Sequence, residues 1–409
     1  MPGKGSSVQK RSVLISGIGI AGATLAYWLG EYGFRPTLVE RAPHFRDGGY
    51  VIDFWGLGYD IAERMGLVPG LRAEGYDVRE LRIVDAKGRR AGGFGADVFR
   101  ELTGGRYVSI ARNDLARLIY GLIEGKCETI FGDEITRLVE DGDGAHVEFE
   151  RGSPRRFDIV IGADGLHSAV RRLVFGKQER FEKFLGYTVA AFQADGYPFR
   201  DEGVYVAYSV PGRQAARFAT HNGRTLFLLI FASDRSTYSK PHDVLARKAF
   251  LHREFDNAGW ECQRILAAMD NCDDIYFDSV SQISMETWSS GRVALIGDAA
   301  FCPSLLAGQG SALAMISAYV LAGELGQAPA RPESAFTRYD EMLRRFMTDK
   351  QKTAEKFASS FAPRTRLGLF LRNQMTKAFA IPYVAGLMLG PSVRDELTLP
   401  NYSATRPTP

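Results

Sequence analysis

The feature that most constrains this chain is a glycine-bearing turn set between two apolar strand patterns near its start. Val13-Leu14-Ile15-Ser16 reads as a short buried strand, and Gly17-Ile18-Gly19-Ile20-Ala21-Gly22 follows it. A helical stretch runs through Trp28 and Leu29 to Gly33, and Pro36-Thr37-Leu38-Val39-Glu40 is the next strand. Together they predict a βαβ unit with its glycines in the first turn. Gly17 permits the tight strand-to-helix turn, Gly19 lets the backbone approach a pyrophosphate, and Gly22, beside Ala21, allows close helix packing. The helix N-terminus then offers free N–H groups and a favourable dipole to phosphate. Glu40 ends the second strand, where a carboxylate accepts hydrogen bonds from a ribose, and Arg41 follows it. A glycine-rich turn without a ligand is the competing reading. The flanking strands and the placed acid favour a dinucleotide site comprising Gly17, Gly19, Ala21, Gly22, Glu40 and Arg41.

A second signal points to FAD rather than NAD. Far downstream Gly297-Asp298-Ala299-Ala300 ends the buried run Val293-Ala294-Leu295-Ile296, and Gly308-Gln309-Gly310 opens a helix after a short loop. Asp298 is placed to hold the hydroxyls of a ribityl chain, and the helix N-terminus at Gly308, Gln309 and Gly310 offers positive partial charge to a reduced flavin. Asp298 alone would read as an acidic turn; with the opening motif it reads as a cofactor residue.

A chain of 409 residues exceeds what one core organises, so two packed units and an appendage are expected. The predicted fold is α/β: a Rossmann-like FAD-binding domain assembled from discontinuous segments, an antiparallel-sheet substrate domain, and C-terminal helices. The expected boundaries are 1–75, 101–178 and 284–330 for the FAD-binding domain, 76–100 and 179–283 for the substrate domain, and 331–409 for the helical region. Strand-like aromatic sequence from Tyr187 to Phe231, with hairpin signals at Pro211-Gly212 and Asn222-Gly223, carries the antiparallel sheet. Thr129–Val139 and His146–Phe149 read as a strand pair, and Asn113 as the cap of a helix.

Composition excludes several classes. The net charge of +3 and the absence of a Lys/Arg run argue against nucleic acid. Cys127, Cys262, Cys272 and Cys302 are too scattered for a disulfide framework or a metal site, which fits a reducing cytoplasm. Lys4, Lys10 and Arg11 before an apolar run imitate a secretory signal, but the spaced glycines and the second strand argue against one. Phe379–Leu389 is short and interrupted by Pro382, so it cannot span a bilayer, and no membrane partner is expected.

A third element is Asp158-Ile159-Val160-Ile161-Gly162-Ala163-Asp164-Gly165, followed by Ser168, Val170 and Arg171. With it the chain resembles the para-hydroxybenzoate hydroxylase-like family of FAD-dependent monooxygenases over about residues 12–330. Gly48-Gly49-Tyr50-Val51-Ile52-Asp53, Phe301-Cys302-Pro303-Ser304 and Leu397-Thr398-Leu399-Pro400-Asn401-Tyr402 look like the tetracycline-inactivating branch. The resemblance implies that Asp164 lies near the FAD pyrophosphate, that Arg112 contacts the flavin's phosphate or ribityl region, and that Asp53 lies beside the flavin ring. It also implies Arg46 as a contact for the reducing nucleotide and a C-terminal helix beside the substrate entrance. Removing the chain beyond about Phe361 is therefore expected to alter substrate affinity and spare FAD. The chain departs from the family at Phe301, where many members carry histidine, and at Ser304-Leu305, where many carry Pro-Pro. A different backbone path near the flavin is expected there.

The implied reaction uses NADPH or NADH and O2 to hydroxylate or oxidise a hydrophobic aromatic or polyketide-like small molecule, with antibiotic inactivation and natural-product biosynthesis as contexts. No side-chain catalyst is expected, because the flavin carries the chemistry. Tyr187, Val189, Ala191 and Gln193 share one strand face, as do Phe227, Leu229 and Phe231. Tyr187, Gln193, Phe227 and Phe231 are the candidate substrate contacts, against ordinary core packing. The alternative is a flavoprotein that uses FAD structurally for a non-redox cyclisation. Flavin halogenation is less favoured because its Trp-x-Trp-x-Ile-Pro signature is absent. A monomer or homodimer is expected.

Overall fold

The computed structural model describes residues 10–45, 50–199, 201–220, 223–234 and 243–403. Three distant stretches of chain build one six-stranded sheet, in the order Ser289–Ser290, Val293–Leu295, Ile159–Gly162, Ser12–Ser16, Arg35–Glu40, Glu128–Phe131. Its pairings are parallel except at the short Ser289–Ser290 edge. Val13, Leu14, Ile15, Ile159, Val160 and Ile161 are fully buried, as uninterrupted apolar runs require when both faces of a parallel sheet are covered. The helix Ile20–Glu31 packs on the helix Gly310–Gln327, which is buried along most of its length.

Two local expectations are corrected. Thr129–Val139 is not one strand: Glu128–Phe131 joins the parallel sheet, and Ile135–Asp141 turns away to pair with Gly144–Phe149. The break lies at Gly132, with φ +74°, and at buried Asp133, whose carboxylate accepts the N–H groups of Glu134, Arg151 and Gly152. Asn113 does not cap its helix. Arg112–Gly121 begins after Ala111 with no side-chain cap, because the preceding strand Tyr107–Ala111 runs straight into it, paired with Val51–Trp55.

The second large sheet has seven strands, in the order Tyr276–Ile283, Glu182–Asp195, Arg224–Ala232, Arg213–Ala219, Val204–Val210, Glu80–Val84, Arg90–Gly95. All neighbours are antiparallel except Val204–Val210 with Glu80–Val84. Strand alternation gives this sheet two distinct faces. One packs Phe192, Phe227, Leu229 and Phe231 under the helices Val244–Phe255 and Cys262–Asp270. The other turns Tyr187, Val189 and Ile230 toward Leu305, Leu306 and Ala362, which lie beside the Gly308 turn.

Three helices follow, Pro332–Phe361, Arg366–Ala378 and Pro382–Val393. The first buries Phe336, Tyr339, Leu343, Phe346 and Met347, a stripe at helical spacing. From Arg394 to Tyr402 the chain is not helical but returns as a strap across the first sheet's helices. Tyr402 is 1% exposed, packs on Gly323 and donates to Glu324 at 2.7 Å. Lys350 pairs with Asp395 at 2.6 Å, and Arg64 and Tyr319 both donate to the Pro400 carbonyl. The chain end is thus built into the core, not appended to it. Among the described residues no helix is long and apolar enough to cross a membrane.

Candidate functional site

At the opening turn the backbone leaves room at one point only. Gly17 has φ +99°, and a Cβ there would lie 2.6 Å from the Ala163 carbonyl oxygen. A Cβ on Gly22 would run into the Gly17 carbonyl. Gly19, in contrast, has nothing within 4 Å of where its Cβ would stand. It begins the helix Ile20–Glu31, whose N-terminus carries no side-chain cap and no acid in the first turn. An open cradle at an uncapped helix N-terminus fits a pyrophosphate. Glu40 braces the same turn, accepting from Ile18 N–H at 3.0 Å and Ala42 N–H at 2.9 Å through different oxygens. Each oxygen keeps a lone pair for a ribose hydroxyl. Arg41 is exposed beside it.

The third chain segment meets this turn directly. A Cβ on Gly297, where φ is +58°, would lie 3.2 Å from Cβ of Ala21. Ala21 is accordingly buried between the two segments. Asp298 starts the short helix Asp298–Phe301 and faces Gly310, whose Cβ position lies 3.7 Å from an Asp298 carboxylate oxygen. Burial raises the Asp298 pKa, and Arg112 opposes that rise. For Arg112 burial works against the charge, but Tyr50 and Asp298 more than restore it, and the guanidinium pKa is raised. Arg112 forms no ion pair among the described residues. Burial pushes the Tyr50 phenol up to about 12, and its ring meets Tyr276 at 6.0 Å between centroids. An arginine without an ion-pair partner, between an aspartate and two phenols, fits the polar middle of a flavin nucleotide.

Gly308, with φ +68°, has open space around it, and Gln309 lines a narrow cavity with Asp53, Trp55, Ala312 and Asp395. Asp53 accepts from Tyr107 at 2.6 Å and from Ser109, and burial raises its pKa against those two bonds. Asp53 and the Gly308-Gln309 turn therefore share one wall. The expected departure in backbone path has a physical counterpart just upstream. Ser304 has φ +112°, strained for a residue with a Cβ, and its hydroxyl accepts from Leu306 N–H.

Asp164 has hydrogen-bond partners within the chain. Its carboxylate accepts from Ser168 and from the N–H groups of Ala169 and Val170, so it caps the helix Ala169–Val174. Its backbone is what closes on Gly17. Arg171, 1% exposed, donates to the Ala299 and Leu166 carbonyls and ties that helix to the Asp298 segment. His167 bridges to buried Asp278 of the seven-stranded sheet at 2.9 Å. Arg46 lies outside the described residues.

The substrate-facing expectation is half corrected. Phe227 and Phe231 point away from the flavin side: Phe227 stacks on Phe192 at 4.8 Å, and Phe231 packs with Phe250, Phe255 and Phe277. Their cross-strand partners are Phe192 and Thr188, so register puts them on the helix-covered face. Tyr187 lies on the other face, with its hydroxyl on the Ala362 carbonyl at 3.1 Å. Gln193 shares that face by alternation and is half-buried near the strand's end. The same face carries Tyr205, stacked on Phe218 at 4.4 Å, with Asp53 close enough to raise its phenol further after burial has done so.

Sequence reading missed Arg372 here. Its guanidinium donates to Ser209 at 3.1 Å, to Gln214 and the Phe361 carbonyl, and to Asn373, all of them neutral. Burial lowers its pKa to about 10. Ser209 lies four residues along the strand from Tyr205, or about 13 Å. A signal existed: Arg372, Met375, Thr376 and Phe379 recur at the i, i+3, i+4, i+7 spacing of one helix face.

Comparison with known proteins agrees with this cradle. Residues 10–349 match the family described as FAD binding domain. A flavin-dependent monooxygenase from an unknown prokaryotic organism is 36% identical over 399 residues, covering 95% of this chain and 98% of its own. An uncharacterized protein of Mycobacterium tuberculosis (strain ATCC 25618 / H37Rv) is 38% identical over 349 residues, 83% of this chain and 92% of its own. The crystal structure of tetracycline destructase Tet(51) superposes with a TM-score of 0.81 at 31% identity, covering 96% of this chain and 100% of that one. Open glycine cradle, meeting segments and relatives together make this chain a member of the FAD binding domain family, an FAD-dependent monooxygenase of the para-hydroxybenzoate hydroxylase-like type that works on a small molecule with O2.

Proposed function

We propose that the protein uses NADPH or NADH and O2 to hydroxylate or oxidise a hydrophobic aromatic or polyketide-like molecule that carries an acidic group. The observation that carries this reading is the stretch of sheet face from Tyr205, near Asp53, to Arg372, a half-buried cation whose hydrogen-bond partners are all neutral. A cation of that kind is completed by an anion such as a carboxylate or an ionised enol. When bound, FAD supplies the electron transfer and the activation of O2. The chain's own residues hold and enclose. The Gly19 cradle and helix N-terminus take the pyrophosphate, Glu40 the adenosine ribose, Asp298 the ribityl hydroxyls, and Arg112 the phosphate or ribityl region. Asp53, Gln309 and the strained Ser304 segment border the ring. Tyr187 and Gln193 lie along the substrate face, and the packed sheets exclude water from it. The likeness to a tetracycline destructase supports a polyketide-type substrate with several acidic enols.

The test is anaerobic reduction of the FAD-loaded protein by NADPH and by NADH, followed by an oxygen pulse with candidate phenols and polyketides. Substrate-dependent oxygen uptake with an oxygenated product is expected. Product formation without reductant or oxygen uptake would instead establish the non-redox cyclisation.

A further inference from the structure

The outward surface of the helices Arg366–Ala378 and Pro382–Val393 is unlike an ordinary solvated face. Of the twelve large hydrophobic side chains that are exposed among the described residues, seven lie between positions 367 and 388. Leu367 is 67% exposed, Tyr383 81% and Leu387 69%. Leu367, Phe370 and Leu371 recur at i, i+3 and i+4, and Tyr383 and Leu387 at i and i+4, so each helix turns an apolar stripe outward. These are not the stripes that anchor the helices. Thr376 and Phe379 of the first and Ala385 and Leu389 of the second are buried, packed against Phe94 and the Arg90–Gly95 strand. Both helices are therefore apolar on the covered side and again on the open side, as at an interface with a second apolar medium.

Charge identifies that medium. Residues 362–394 contain Arg364, Arg366, Arg372, Lys377 and Arg394 and no Asp or Glu. Arg372 turns inward to Gln214, Arg364 donates to the Gly186 carbonyl and lies over the Tyr187 ring, and Arg394 lines an open pocket with Asp60 and Glu63, which leaves Arg366 and Lys377 as the exposed cations of the two helices. Asp395, which follows, is held inward by Lys350 and Leu57 N–H, so Glu396 is the first exposed acid. We propose that this face docks on the surface of an anionic lipid bilayer, with the apolar stripes at the acyl boundary and Arg366 and Lys377 among the headgroups. The helices have 13 and 12 residues, against the roughly 20 needed to span, so the docking is interfacial. A second copy of the chain fits less well, because a two-fold contact would bring the same cations together. Docking would set the Arg372 end of the substrate face about one helix diameter, roughly 10 Å, from the bilayer. The inference does not depend on the flavin chemistry.

The experiment is sedimentation of the FAD-loaded full chain with vesicles of phosphatidylcholine alone or mixed with phosphatidylglycerol. The protein is expected to sediment with the mixed vesicles at low salt, and about tenfold or more less with pure phosphatidylcholine or at high salt. The double variant Tyr383→Asp, Leu387→Asp should lose binding with unchanged flavin absorbance and circular dichroism, since both side chains are exposed. Arg366→Gln with Lys377→Gln should weaken binding to the mixed vesicles only. Failure to sediment with either vesicle overturns the proposal, as does binding that the Asp variant leaves unchanged. A dimer in sedimentation velocity that the Asp variant dissolves, without vesicle binding, overturns it in favour of a second copy.

Discussion

Around Gly17 the backbone itself makes the proposed cofactor site, whereas on the inner face of the seven-stranded sheet side chains make the proposed substrate site. The first region is held by close approaches: Gly17 against Ala163, Gly22 against the Gly17 carbonyl, Ala21 against Gly297. Glu40, Asp164 and Arg171 are spent on backbone groups that keep those approaches in register. A site made this way accepts one ligand and tolerates little change. The second region presents Tyr187, Gln193, Tyr205 and Arg372 from a regular sheet and one helix, and any of them is replaceable without moving the backbone. That division places cofactor identity in geometry and substrate choice in chemistry.

Five substitutions and one truncation would break or sharpen the contrast. Tyr402→Ala empties a core position against Gly323 and Glu324, and should cost about 3–5 kcal/mol in denaturant or thermal unfolding. Because the strap is core, removal of the chain beyond Phe361 should likewise reduce stability and FAD content, which reverses the expectation that the tail serves substrate alone. Gly22→Ala meets backbone rather than space and should cost about 3 kcal/mol or more, with FAD lost. Gly19→Ala should instead keep the melting temperature of the FAD-free protein and weaken FAD binding; equal FAD affinity in both proteins would remove the cradle from the argument. Arg112→Ala should weaken FAD by about 1.5–3 kcal/mol in a fluorescence titration. Arg372→Gln should leave FAD affinity unchanged and raise KM about tenfold for an acidic substrate, an effect of roughly 1.4 kcal/mol, while sparing a neutral analogue.

The smallest effect concerns pH. Burial raises the Asp53 pKa in the folded protein, so its contribution to stability is fully present below the unfolded value and is lost as pH rises through the folded one. Asp53→Asn removes that loss and keeps an acceptor for Tyr107 and Ser109. The FAD-free variant should therefore melt no lower than the parent at neutral pH, and its advantage should shrink in acid. A variant less stable at neutral pH than in acid, relative to the parent, would contradict the sign.

Much of the first region was legible as sequence because its signals are local. Gly17, Gly19 and Gly22 lie within six residues, and the strand and helix patterns on either side have their own periodicities. Asp298 and the Gly308 turn were legible for the same reason. Less of the second region could be read. Phe227 and Phe231 share a strand face whichever way the sheet turns, and only the helices at Val244–Phe255 and Cys262–Asp270 decide which face is covered. The break at Gly132 depends on Asp133 finding Arg151 and Gly152, eighteen and nineteen residues away.

By itself the sequence determined the local chemistry: a βαβ turn for a dinucleotide, an aspartate at a strand end, alternating aromatic strands, and basic apolar helices near the end. The folded structure decided that Ala21 meets Gly297, that Arg372 is a cation among neutral partners, and that Tyr402 closes the core. The physical reason is range. Propensity and periodicity act over a few residues, while burial, counter-charge and close approach are properties of neighbours, and neighbours such as Gln214 and Arg372 or Glu324 and Tyr402 lie far apart in the chain.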